Sequence, residues 1–314
     1  MWANLYDDNG YTTWAEGTTY MNGVEVSRNG GTWKTATNYY WPDGKLTFIA
    51  YAPSSVNGTV DGEGVHFPDY SVADAATDQI DLLYSERAYD KQALDDETAG
   101  SEITDENPDF TDDSYTGVHL AFKHALSSIV FSVRTKEDYK TANGATITLT
   151  GLSISNIGKT STFNQGITDG NIATSAAEWD EPSTKTTTYV AYYGLKEITT
   201  TRYWTSTDAY NTDKHTASSG GYRDTDFILL PQTLATAELN VSFKIQYEGV
   251  GAPVEMNKAV DLTDVNVPEW EMGKRYIYNI IISLGTNAIT FEPYVTDWED
   301  FEYSGSDYEV GIDI

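Results

Sequence analysis

ATITLTGLSISNI (residues 145–157) and ELNVSFKIQY (residues 238–247) decide how this chain is read. In the first, Ile147 and Leu149 alternate with threonines, and Leu152 and Ile154 alternate with serines. In the second, Leu239, Val241, Phe243, Ile245 and Tyr247 fall on one face. A period of two with branched and aromatic residues on one side is the signature of a half-buried β-strand. Gly151 interrupts the first alternation, so a bulge or bend is expected there. KRYIYNIIIS (residues 274–283) is apolar on both faces and is expected to be a central strand.

Similar runs extend in both directions. Strands are expected over Trp2 to Tyr6, Asn38 to Trp41, Lys45 to Pro53 and Gln79 to Ser85. Beyond the middle they recur in VHLAFKHALSS from Val118, IVFSVRT from Ile129, TTTYVAYYGL, DFILLPQTL, EMNKAVDL and AITFEPYVTDW. Trp41-Pro42-Asp43-Gly44 reads as a turn. Pro231-Gln232 is expected to end a strand, because proline cannot donate to a central ladder. Gly273 is expected to make the turn that leads into Tyr276 and Tyr278. There is almost no helical periodicity, so the fold class is all-β, built from antiparallel β-sandwiches.

Two segments break the rhythm. Residues 86–117 are densely acidic with no sustained apolar period, apart from a possible short helix near Lys91 to Glu97. This break sets the expected division into domains of residues 1–116 and 117–314. Residues 158–185 are polar and offer an alternative boundary.

Composition narrows the function. The formal net charge is −29, which repels phosphate backbones and anionic membranes, so no nucleic-acid partner is expected. There is no Cys, which removes disulfides, Cys-ligated zinc and thiol nucleophiles. The order of ligands in a Ca²⁺ loop is not present. The four histidines are His66, His119, His124 and His215. His119 and His124 are five apart, so on one strand they face opposite sides and make no two-His site. His124, in an apolar context, reads as a satisfied core or interface histidine. No nucleophile elbow, phosphate loop or dinucleotide fingerprint is found. Carboxylates are too abundant for any one pair to be informative. The chain is expected to have no enzymatic activity, metal or cofactor.

Several stretches, in order, resemble the fimbrillin family, the pilins of Bacteroidetes surface fimbriae and their Mfa-like relatives. They are YYWPDGKLTFIAYAP (39–53), LAFKHALSSIVFSV (120–133), GLSISNI (151–157), LLPQ (229–232), WEMGKRYIYNIIIS (270–283) and ITFEPYVTDWED (289–300). The resemblance implies two transthyretin-like β-sandwich domains in series and export as a lipoprotein precursor. It also implies removal of an N-terminal segment, with polymerisation by strand exchange at the outer membrane. Membrane contact would come only through a lipid anchor on the precursor. The partners implied are other pilin subunits, in homo- or hetero-polymers, and a host or bacterial surface receptor. No leader is read at the N-terminus, where Trp2 to Tyr6 already looks like a strand. The first strand of the family pattern is therefore expected to be missing.

SGSDYEVGIDI (residues 304–314) gives this implication a location. After Ser304-Gly305-Ser306, residues Tyr308, Val310, Ile312 and Ile314 alternate with Asp307, Glu309, Gly311 and Asp313. These four apolar residues are the candidate donor-strand set. Eight extended residues reach about 26 Å, enough to run along a sandwich. A second reading is a surface glycan binder, with Tyr192, Tyr193, Tyr203 and Trp204 as stacking residues. That reading requires exposed, coplanar rings. Tyr39, Tyr40, Trp41, Phe48 and Tyr51 are read as core and edge aromatics.

Overall fold

The computed structural model describes residues 1–29, 32–92, 118–168, 176–205, 226–262, 267–284, 288–298 and 312–313. The two stretches that opened the sequence reading lie side by side. Strand Ala145–Gly158 pairs antiparallel with Glu238–Tyr247, with Ile147 opposite Ile245 and Leu149 opposite Phe243. Lys185–Ile198 flanks one side and Val254–Asp261 the other, so the sheet has four antiparallel strands. The register slips at Leu149/Gly151 against both neighbours, which is the bulge expected at the glycine.

A second sheet packs its face into the same cluster. Its order is Tyr203–Trp204, Ser127–Thr135, Lys274–Ser283 and Ala288–Asp297, and Phe227–Leu229 also pairs with Ser127–Thr135. Lys274–Ser283 is central and buried on both faces: Tyr278 and Ile280 are fully buried, and Ile277 and Ile281 of opposite parity are buried as well. Its pairing with Ser127–Thr135 is parallel, from Ser128↔Arg275 to Thr135↔Ile282. Phe131 and Tyr278, in register, stack with ring centroids 5.5 Å apart. Gly273 supplies the turn at φ 64°, which a β-carbon would strain. The indole of Trp270 donates to the Tyr278 hydroxyl at 2.9 Å, so two of the largest buried side chains satisfy each other. Burial pushes the Tyr278 hydroxyl upward from its ordinary pKa.

Trp2–Tyr6 is a strand, as expected, between Lys45–Ile49 and Thr18–Met21 in a four-stranded sheet that ends on Ala88–Lys91. Ala3, Met21, Leu46 and Phe48 from this sheet join Val118 and Leu120 in a second, smaller cluster. The larger cluster likewise takes Ile49, Val65, Phe67, Val72, Leu82 and Tyr84 from the first 116 residues. Three ladders cross residues 116/117: Phe122–His124 pairs with Leu83–Ser85, Thr160–Asn164 with Gly64–Ser71, and Ile312–Asp313 with Thr32–Thr35. Gln165, fully buried, joins the two sides as well. Its Oε1 accepts from the Val65 amide and its Nε2 donates to the Ser85 carbonyl, both at 2.9 Å.

Two local expectations are corrected, one strand lies where none was read, and one expected helix falls largely outside the described residues. Residues 38–41 form no strand, and Pro42 following them fits an irregular run. The polar stretch 158–185 contains strands Thr160–Asn164 and Glu178–Trp179. Gly64–Ser71 is a strand despite Pro68; the register slips beside it, and Asp69 takes a positive φ of 49°. Of the residues expected in a helix near Lys91 to Glu97, Lys91 ends a strand and 93–97 lie outside the described residues. The one α-helix among the described residues is Tyr139–Asn143, where the Asp138 carboxylate accepts from the Thr141 amide.

Candidate assembly surface

The small N-terminal cluster has a half-open rim. Trp33, Tyr20, Tyr39, Trp41 and Phe122 pack against it while only partly buried. Trp41 meets Phe48 edge-on at 6.1 Å, and Tyr20 meets Tyr39 at 5.8 Å. The Tyr20 hydroxyl donates to the Tyr40 carbonyl, and the Tyr40 ring itself points outward, 77% exposed. These aromatics are therefore core and edge residues, as read from sequence, with Tyr40 the exception.

Trp33 belongs to a hairpin absent from the sequence reading. Val26–Asn29 pairs antiparallel with Thr32–Thr35, from Val26↔Thr35 to Asn29↔Thr32. The signal was available in Asn29-Gly30-Gly31, a common hairpin tip. On the far side of Thr32–Thr35 lies strand Ile312–Asp313. It runs parallel, with Ile312 in register with Trp33 and Asp313 with Lys34. Of the candidate donor residues, Ile312 is thus placed by its backbone. Tyr308, Val310 and Ile314 lie outside the described residues.

The aromatic set considered for sugar stacking is not a platform. Tyr192 and Tyr203 meet nearly at right angles, 84° between planes at 5.7 Å. Cations cover two of the rings: Lys196 Nζ stands 4.9 Å from the Tyr203 centroid, and Arg202 lies 5.4 Å from that of Trp204. Tyr193 alone is freely presented, at 91% exposure, on the edge strand that also exposes Val190 and Leu195.

Two of the histidines, His66 and His124, are held by side-chain oxygens. His124 Nδ1 lies 2.9 Å from Asp81 Oδ1, and its ring stacks on Trp298 at 4.0 Å. His119 is exposed. His66 contacts Asn164 Oδ1 at 2.9 Å and Asp61 Oδ1 at 2.8 Å. Burial opposes protonation of His66, but these two hydrogen bonds and the Asp61 charge outweigh it and raise its pKa. His215 lies outside the described residues. Among the described residues, no group of three or more His, Cys, Asp or Glu is placed to hold a metal ion.

A family profile described as fimbrillin-like matches residues 6–298 of the chain. This chain belongs to the fimbrillin-like family. Its fold is shared with a crystal structure of a fimbrial protein from Bacteroides vulgatus. The two are 16% identical, with 95% of this chain and 92% of that one covered and a TM-score of 0.62. Two further structures are proposed cell adhesion proteins from Bacteroides uniformis and Bacteroides ovatus, each 17% identical with a TM-score of 0.46. The alignments cover 95% and 96% of this chain, and 91% and 87% of those. No curated protein matches the sequence. In this fimbrillin-like chain, each stretch that carried the resemblance includes residues of a β-strand. LLPQ provides Leu229 and Leu230, both fully buried. It also provides Gln232, whose amide bridges the Gly158 amide at 2.8 Å and the Gly158 carbonyl at 3.0 Å. No helix among the described residues is long and apolar enough to cross a membrane.

Proposed function

We propose that this fimbrillin-like protein is a structural subunit of a bacterial surface fimbria that joins other subunits by strand exchange and supports cell adhesion. The family match over residues 6–298 carries the fimbrial part of this reading. The strand-exchange part is supported by the period-two alternation of residues 307–314 and by strand Ile312–Asp313, which adds to a sheet edge beside a half-open cluster. An extended segment that supplies main-chain hydrogen bonds to an open edge and alternate side chains to pockets is the chemistry of β-strand addition. Four fully buried apolar side chains, Tyr308, Val310, Ile312 and Ile314, would contribute about 6–12 kcal/mol gross. Ordering the tail offsets a substantial part.

The partners in this reading are other pilin subunits, identical or not, and a receptor on a host or bacterial surface. The subunit sits at the outer membrane, with a lipid anchor on the precursor. It has no catalytic role. Two transthyretin-like sandwiches, residues 1–116 and 117–314, are proposed as divisions of chain order that fold as one body, because buried clusters and ladders cross between them.

The test is truncation after Gly305, with Ile312→Asp as the single-residue counterpart, in the bacterium that makes the protein. Both variants are expected to fold and be exported, and immunogold labelling is expected to find them absent from surface fibres. Labelled fibres in normal number would reject strand exchange through this segment.

A further inference from the structure

The geometry points to a carbohydrate-binding face: the solvent side of the sheet Lys185–Ile198, Ala145–Gly158, Glu238–Tyr247 and Val254–Asp261, with Tyr193 at its edge, takes an uncharged glycan chain. The inference rests on the adhesion part of the reading above and names the chemistry of what is held; it makes no use of strand exchange.

Ladder register places the residues of this face. Leu149, Leu152 and Ile154 turn into the core, so Gly151 and Ser153 turn out to solvent. Gly151 lies opposite Tyr193 on one neighbour and Ser242 on the other, and Ser242 lies opposite Asn257. The next row on the same face is Val190, Ser153, Asn240 and Ala259. Directly paired residues share a face, so the two rows run side by side across four strands, about 14 Å in three inter-strand steps. Neither row contains a charge, in a chain whose net charge is −29. The adjoining row, through Thr148, does hold charges, and they are paired: Lys244 with Glu255 at 2.9 Å and Glu197 with Lys140 at 3.4 Å. Glu238 and Asp261 border the other side.

Each part of the face suits a sugar ring. Tyr193 is 91% exposed, and a tyrosine ring offers a rigid apolar surface on which the C–H face of a pyranose can lie. Val190, also exposed, extends that apolar edge. Gly151 leaves the floor beside the ring bare. A β-carbon there would make only an ordinary contact, 3.5 Å from Ser242 Cβ, so packing does not demand the space. Beyond it the hydroxyls of Ser153 and Ser242 and the exposed amide of Asn257 match the hydroxyls of a sugar as donors and acceptors. Asn240 donates its amide to the Ser155 hydroxyl at 3.0 Å and keeps its carbonyl oxygen as an acceptor. This is one ring on a polar floor, unlike the four-ring platform excluded above. A polyanion would be repelled by the chain as a whole. A protein partner needs a dry apolar centre with aromatic or arginine anchors, and the centre of this face is Gly151, Ser153, Asn240 and Ser242.

Native gel electrophoresis of the full chain in soluble galactomannan, arabinoxylan and mixed-linkage glucan tests the assignment, with polygalacturonate as the anionic comparison. One or more of the neutral polymers is expected to retard migration, and polygalacturonate is not. Tyr193→Ala and Ser242→Asp are each expected to weaken retention by about tenfold, with thermal melts showing that both variants are folded. Tyr203→Ala, whose ring meets Tyr192 on the core side of the sheet, should bind as the parent does. Should Ser242→Asp fail to fold, the exposed Tyr193 decides alone. No retardation in any neutral polymer, equal retardation in polygalacturonate, or a Tyr193→Ala protein that binds like the parent would overturn the inference. A dimer that Tyr193→Ala dissolves, without polymer binding, would overturn it by giving the face to a second copy. Failure here leaves fibre assembly untouched, whereas fibres that bind the polymer but attach to no surface would remove adhesion and leave this site standing.

Discussion

Residues 117–314, expressed without residues 1–116, are expected not to reach the native state. Although the acidic break before Val118 looks like a linker, the fragment would lose six buried side chains from its own core. These are Ile49, Val65, Phe67, Val72, Leu82 and Tyr84. At roughly 1.5–3 kcal/mol each the gross loss is about 9–18 kcal/mol, against a net stability of about 5–15 kcal/mol for a typical native protein. Phe163 would lose ring contacts with Phe67 at 5.5 Å and Tyr84 at 5.0 Å. Thr160–Asn164 would keep only Glu178–Trp179 as a ladder partner. Gln165 would lose the Val65 amide and the Ser85 carbonyl in its buried site, and each hydrogen bond lost there adds its own penalty. Circular dichroism and thermal melts of the fragment, alone and mixed with residues 1–116, give the measurement. A fragment that melts cooperatively near the temperature of the full chain would contradict it.

Asp226→Ala is expected to cost about 3–5 kcal/mol, because it breaks a largely buried ion pair. Asp226 and Arg275 form an ion pair with side chains only 5% and 15% exposed. They sit on either side of Ser128, whose hydroxyl also reaches the Asp226 carboxylate at 3.4 Å. In register, Ser128 lies opposite Ile228 on one neighbouring strand and Arg275 on the other. The pair therefore spans three strands where the antiparallel neighbour and the parallel one begin. Removing the acid takes the Asp226 carboxylate away from a largely buried guanidinium. Replacing both, as Asp226→Leu/Arg275→Met, should recover most of the loss, since an apolar pair carries no desolvation cost. Urea unfolding of the two singles and the double supplies the cycle. An Asp226→Ala protein within about 1 kcal/mol of the parent would refute the assignment.

What could be read from the sequence follows from how each element is buried. Ala145–Gly158 and Glu238–Tyr247 present one wet face and one dry face, so their period of two is visible, and even the Gly151 bulge could be placed. Lys274–Ser283 is dry on both faces; its position at the centre could be inferred, but its parallel pairing could not. Parallel register with Ser127–Thr135 arises from residues 128–282 folding back, and no local pattern encodes that. Gly64–Ser71 was hidden by Pro68, and Thr160–Asn164 by its own hydroxyls. Gly64–Ser71 buries Val65 and Phe67, and Thr160–Asn164 buries Phe163, too few apolar positions to display a period. The ladders across residues 116/117 escaped for the same reason: an acidic, aperiodic segment marks a break in chain periodicity, and a core can close around it. Of the candidate assembly surface, the tail's alternation is legible, while the edge beside Ile312–Asp313 belongs to a hairpin whose local signal is confined to Asn29-Gly30-Gly31.

The central claim is that subunits are joined by a strand passed from one to the next. Cryo-electron microscopy of isolated fibres addresses it most directly. The account predicts that residues 307–314 of each subunit lie as a strand within a sheet of the adjoining subunit. Fibres in which every tail remains on its own subunit, with neighbours touching only through other surfaces, would contradict it.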